Sequence, residues 1–330
     1  TTEIYTLSLH DALPISVNAR NLLALYSVIP LSLALLLIDW ILGGNLSLAL
    51  PTHPEYWPVW IYIFGMPHVF ASFILLADEQ YWNEFRSKLI ASGIIILLIP
   101  PVFTMFFDFY YLFFLFTALI VYHTVAQQFG IALIVAKIRP DRWHAVHTFA
   151  GSIIGVVLYT YMYSDARLDF VMPLKSYFID AAWGLLLLVG GITARQFIRA
   201  NTPAGKMFLL CNFTMLLTML ILFSYGFQLL SIVIGRIIHE FTAWYIYSVH
   251  DHNRNADTRH NIIFRRFPML PARYAGFILA FALGIAFTFL SEEFNQFLAP
   301  LIVSFSLYHY WIEGFIWKGA SGPKQQVVFK

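Results

Sequence analysis

The sequence predicts an all-α fold, a polytopic membrane bundle of about ten transmembrane helices. Three observations carry this. Of 330 residues 59% are hydrophobic and only 12% charged, against about 25% charged in soluble domains, and the mean hydropathy is +0.70. Apolar runs of about 20 residues recur along almost the whole chain, each long enough to cross a bilayer. Strand-period alternation is absent, which argues against a barrel. The small net charge of +2 gives no reason to expect nucleic acid as a partner. The lone Cys211 lies inside an apolar run, which excludes a disulfide framework or a thiolate metal site.

Taken in order, Thr1–Ser16 lacks the basic start and long apolar stretch of a signal peptide and reads as a non-native or disordered leader. Residues 17–330 read as a single transmembrane domain. Its expected spans are Leu22–Leu42, Tyr56–Ala77, Leu89–Phe107, Phe109–Ala136 and Ala145–Tyr163. Asp180–Thr193, Met207–Tyr225, Leu229–Val249, Tyr274–Leu290 and Gln296–Trp317 follow. Asp108 is expected to split the third span from the fourth, and Gly226-Phe227 to make a tight turn. Basic residues favour cytoplasmic loops. With both termini inside, the inner connections hold Arg86 and Lys88, then Lys137, Arg139 and Arg142, then Arg195, Arg199 and Lys206, then Arg254 to Arg273. Only Arg167 and Lys175 fall on the outer side, so ten spans in a bacterial or archaeal inner membrane satisfy the rule.

On that topology the second, fourth, eighth and tenth spans run from outside to inside. His68, His123, His239 and His309 lie about 10 to 13 residues from their outer ends, which at 1.5 Å per residue puts them within roughly 5 Å along the membrane normal. Residues four apart share a helix face, so Ser72 is expected beside His68, Gln127 beside His123 and Glu313 beside His309. Glu313 either chelates an ion with His309 or orients a neighbouring imidazole. Glu240 follows His239 directly, and Gln127, Glu240 and Glu313 are the candidates for orienting ligands. Tyr122, Trp244, Tyr245, Tyr308, Tyr310 and Trp311 are expected to wall the histidines, and Pro67 to kink the second helix toward them. Buried neutral polar groups without partners cost roughly 2–7 kcal/mol each, so the cluster is expected to be bonded, wet or metallated. His250 and His252 close the eighth span, where His250 is a further ligand candidate or part of an interfacial cap. His53, in an outer loop, is expected to be solvated, and His144 and His147 to be structural.

Imidazoles with at most one carboxylate suit iron, zinc or copper rather than magnesium or calcium. An apolar midplane site is reached most readily by a substrate dissolved in lipid and by dioxygen, so oxidation of a lipophilic small molecule on non-haem iron is the expected chemistry. Zinc, a bis-histidine haem b electron carrier and an ion or proton transporter are the alternatives.

Met66-Pro67-His68, His123, the stretch from His239 to His252, and His309 with Glu313 and Lys318 resemble the motifs of the Brp/Blh-type β-carotene 15,15′-dioxygenases, with Val69 standing where that motif has glycine. The resemblance implies a membrane enzyme that cleaves a carotenoid. It also implies iron at His68, His123 and His239, with His309 or His250 completing the set.

Overall fold

A computed structural model of the chain describes residues 15–50, 65–163, 172–293, 295–318 and 321–329. Among them run α1 (Ala19–Ile41), α2 (Met66–Leu75), α3 (Glu79–Phe106), α4 (Phe109–Ala136) and α5 (Arg142–Tyr163). Then come α6 (Lys175–Arg199), α7 (Pro203–Ser224), α8 (Gln228–Asn255), α9 (Ala272–Glu293) and α10 (Asn295–Ile316). No strand occurs among the described residues. Among the described residues seven helices, α1 and α3 to α8, are long and apolar enough to cross a membrane, while α2 and the Ala272–Phe287 part of α9 are shorter apolar stretches. The fold is therefore an all-α polytopic bundle, and seven of the expected crossings meet the length criterion. The leader to Pro14, His53 and the outer half of the second expected span lie outside the described residues.

Hydropathy misjudges α3 at its start. The helix begins at Glu79 rather than Leu89. Asp78 is its N-cap, accepting from the Gln80 and Tyr81 amides at 2.9 and 3.3 Å, which satisfies donors that the first turn leaves open. Arg86 and Lys88 are thus helical, not loop, residues. Arg195 and Arg199 likewise sit in the last turns of α6, and Arg254 in α8. Pro67 does not kink its helix. It occupies the first turn of α2, where its missing N–H costs nothing.

The chain forms two compact units. Among the described residues the first comprises 15–18, 65–113 and those from 242 to 329, and includes α2, α3, α9, α10 and the second half of α8. Its core joins Leu75, Phe85, Leu89, Trp244, Tyr247, Phe264 and Ile312. Helices α2 and α9 pass so closely that a Cβ on Gly284 would stand 2.6 Å from the nitrogen and Cδ of Pro67. One end of this unit is tied by Arg254, whose guanidinium grips Asp78 at 2.7 and 3.1 Å. Burial alone would raise the Asp78 carboxyl, but the Arg254 bonds and the two backbone amides hold it below the usual carboxylate range.

The second unit comprises, among the described residues, 19–50, 114–163 and 172–241: α1, most of α4, α5 to α7 and the first half of α8. Thr202 caps α7 at 3.0 Å from the Gly205 amide and donates to Val135 at 2.6 Å. Gly205 meets Ala136 backbone where no side chain fits. At the same end Asp141 accepts from Arg195 at 2.9 Å and Arg199 at 2.7 Å. Desolvation pushes its carboxyl up, but the bonds from these guanidiniums and the His144 amide together draw it down to about 2. The Gly226 turn forms as expected, with φ +88°.

Apolar side chains face outward along much of α3 and α6, including Ile94 (59% exposed), Leu98 (57%) and Leu187 (80%). Contiguous exposed apolar surface on this scale marks contact with something other than water, and on helices of this length the matching environment is the hydrocarbon of a bilayer.

Candidate functional site

In the first unit, α2 brings His68 and α10 brings His309 into edge-on contact, with ring centroids 4.5 Å apart. One turn further along α10, Glu313 Oε1 lies 4.0 Å from His309 Nε2, the spacing expected of residues four apart. One ligand atom from each of His68, His309 and Glu313 lies within 4.8 Å of the others. All three are nearly enclosed, at 3%, 0% and 7% exposure.

The hydrogen bonds around them fix the chemistry. The Ser72 hydroxyl donates to the Val69 carbonyl at 2.8 Å, so its oxygen accepts from His309 Nδ1 at 3.0 Å. His309 Nδ1 therefore carries a proton, and Nε2 is the nitrogen on the side of Glu313. Tyr247 donates to Glu313 Oε1 at 2.6 Å. Glu313 is therefore the acceptor of a short bond. Trp244 and Tyr247 stand edge-on to His68 at 6.4 and 6.3 Å, and Tyr310 lies 5.3 Å from His309.

The second unit holds another pair. His123 of α4 and His239 of α8 make an edge-on contact with centroids 5.1 Å apart. Here the neighbouring carboxylate is engaged: Glu240 Oε1 lies 2.7 Å from Arg236 Nη2, both side chains buried. Gln127 has its Oε1 buried without a hydrogen-bond partner. Gln128 is part of a structural knot, accepting from Tyr26 at 3.1 Å while its carbonyl takes the Asn212 amide at 3.1 Å.

Each unit thus assembles one of the two histidine pairs, and several details depart from expectation. Ser72 lies on the His68 face of α2 as expected, and its bond goes to His309 of α10. His250 lacks a nitrogen for a metal: Nδ1 meets Asp251 Oδ1 at 3.0 Å and Nε2 meets the Tyr81 hydroxyl at 3.1 Å. A Cβ on Gly276 would strike Asp251, so that glycine makes room for the triad. Among the expected aromatic walls, Tyr122 and Trp311 point outward, 49% and 51% exposed. Tyr308 is occupied with the Leu89 carbonyl at 2.7 Å and Tyr245 with the Asn18 amide at 3.1 Å. His147 is structural as expected, stacked on Phe129 at 4.1 Å and bonded to Thr193 at 3.0 Å.

Sequence reading missed Arg236 and Tyr247. For Arg236 a signal existed, because a cation four residues before Glu240 shares its face. Tyr247 offered none beyond being one more aromatic in an apolar run. As to cofactors, two imidazoles and a carboxylate fit a transition metal. Neither histidine pair fits a porphyrin between its rings, which are already in contact. No family model, curated protein or solved structure matches this chain.

Proposed function

We propose that this chain is a membrane-embedded non-haem iron oxygenase acting on a lipophilic substrate of the polyene or carotenoid class. The observation that carries the reading is the His68, His309 and Glu313 constellation. Two histidines and one carboxylate leaving coordination positions open are the donor set of non-haem iron oxygenases. The Brp/Blh-type motif resemblance supports the same class. Iron bound there would supply activation of dioxygen.

The chain's own residues have definable tasks. Ser72 holds the His309 ring so that Nε2 is the ligating nitrogen. Tyr247 orients Glu313, and such outer partners typically contribute 10–100-fold to metal affinity. Trp244 and Tyr247 supply apolar edges beside His68 that keep bulk water from the donors. Dioxygen and a polyene both dissolve in the acyl region, so the membrane is the route of supply. The excess of basic residues in alternate connections supports a cytoplasmic membrane of a bacterium or archaeon with both termini inside.

Elemental analysis and an optical spectrum of the purified protein test the metal. The expected result is one iron held through these residues, absent in His309→Ala and without a Soret band. Stoichiometric zinc would overturn iron, and absence of any transition metal would overturn the site. Expression in β-carotene-producing cells should bleach the pigment and release an aldehyde product. Unchanged pigment in cells whose protein carries iron would remove carotenoid as the substrate.

A further inference from the structure

The second unit contains a partly open cavity of about 20 Å³ lined by residues of α4, α5, α7 and α8. Its wall is largely hydrocarbon and thioether, from Val121, Val125, Met215, Met219 and Ile232. Two glycines leave the space open. A Cβ at Gly155 would come 2.6 Å from Val121 Cγ1, so α4 and α5 approach as closely as they do only because that position is bare. A Cβ at Gly235 would reach Met219 Sδ at 3.5 Å, an ordinary contact.

A cavity needs roughly 10–15 Å³ of such volume to hold one water, and that water needs two to four polar partners. The one side-chain group on this wall that is buried without a hydrogen bond is the Thr124 hydroxyl. Two further polar side chains line it: Arg236, which is directed to Glu240 at 2.7 Å, and Tyr159. The wall therefore suits an apolar guest better than water. It also lies beside the second histidine pair: Thr124 follows His123 in α4, and His239 is one turn beyond Gly235 on the same face of α8.

We infer that this cavity is a binding site for a small apolar gas of the dioxygen class, adjoining the His123–His239 pair. The site does not depend on metal at His68, His309 and Glu313, and its test reads a different quantity. Xenon is the probe, because it occupies apolar protein cavities of this kind. Under xenon pressure, crystals of the protein should show one strong peak between Val121, Met219 and Gly235. Gly235→Ala, which adds a methyl in ordinary contact with Met219, should lower xenon occupancy at least severalfold while the protein elutes and melts as the wild type does. Met219→Phe, a second filling variant, should do the same. Ordered water in the cavity with no xenon peak would overturn the inference. So would xenon occupancy that is unchanged in a folded Gly235→Ala protein.

Discussion

Two histidine pairs of nearly the same edge-on geometry occur in this chain, and they differ in what their carboxylates do. Beside His309, Glu313 is held by a neutral phenol and keeps an oxygen near an imidazole nitrogen. Beside His239, Glu240 is held by a guanidinium on its own helix. A carboxylate bonded by a phenol accepts from a neutral donor. One bonded to arginine is largely neutralised, and its lone pairs face the wrong partner. The imidazole pair alone does not define a metal site; the partner of the adjacent acid decides.

Substitutions can break this comparison. The largest effect is expected on metal content: His309→Ala should lose bound metal, whereas His239→Ala should retain most of it, as read by elemental analysis of purified protein. Loss in both variants would erase the distinction between the pairs. Next, Arg236→Met should destabilise the protein by roughly 3–5 kcal/mol, because removing one partner strands a buried charge. Replacing both Arg236 and Glu240 with apolar residues should recover most of that loss in a denaturant or thermal assay. An undiminished loss in the double variant would mean that Glu240 has a task besides pairing with Arg236.

A smaller effect tests the phenol. Tyr247→Phe should weaken metal binding about 10–100-fold, the range for outer partners of a ligand, with the fold intact by thermal melting. An unchanged metal affinity would remove Tyr247 from the site. The smallest effect is a pH response. Asp141 has its carboxyl lowered to about 2 by Arg195 and Arg199, against about 3.9 in an unfolded chain. Its contribution is therefore complete above about pH 4 and is lost as the pH falls toward 2. The melting difference between wild type and Asp141→Asn should shrink over that window and be flat from pH 5 to 8.

The all-α class and most helix positions were legible in the sequence, because hydrophobic length is the dominant signal in a chain of this composition. The edges were less so. Polar first turns such as Glu79 to Lys88 read as loop by hydropathy, yet Asp78 caps them into α3. The i, i+4 rule found Glu313 beside His309, since both lie on one helix. It also put Ser72 on the His68 face of α2, but the bond from His309 to Ser72 depends on how α2 and α10 pack, which no periodicity encodes. His250 was similarly ambiguous: its partner Tyr81 lies 169 positions away.

Gly284 carries a consequence for variation in this chain. With no hydrogen to spare between α9 and the ring of Pro67, even a single methyl there must push aside the turn that carries His68. A change remote in sequence, chemically mild and far from any polar atom, would thus reach the imidazole through rigid backbone. Sequence drift should be tolerated on the lipid-facing sides of α3 and α6 and arrested at this one crossing.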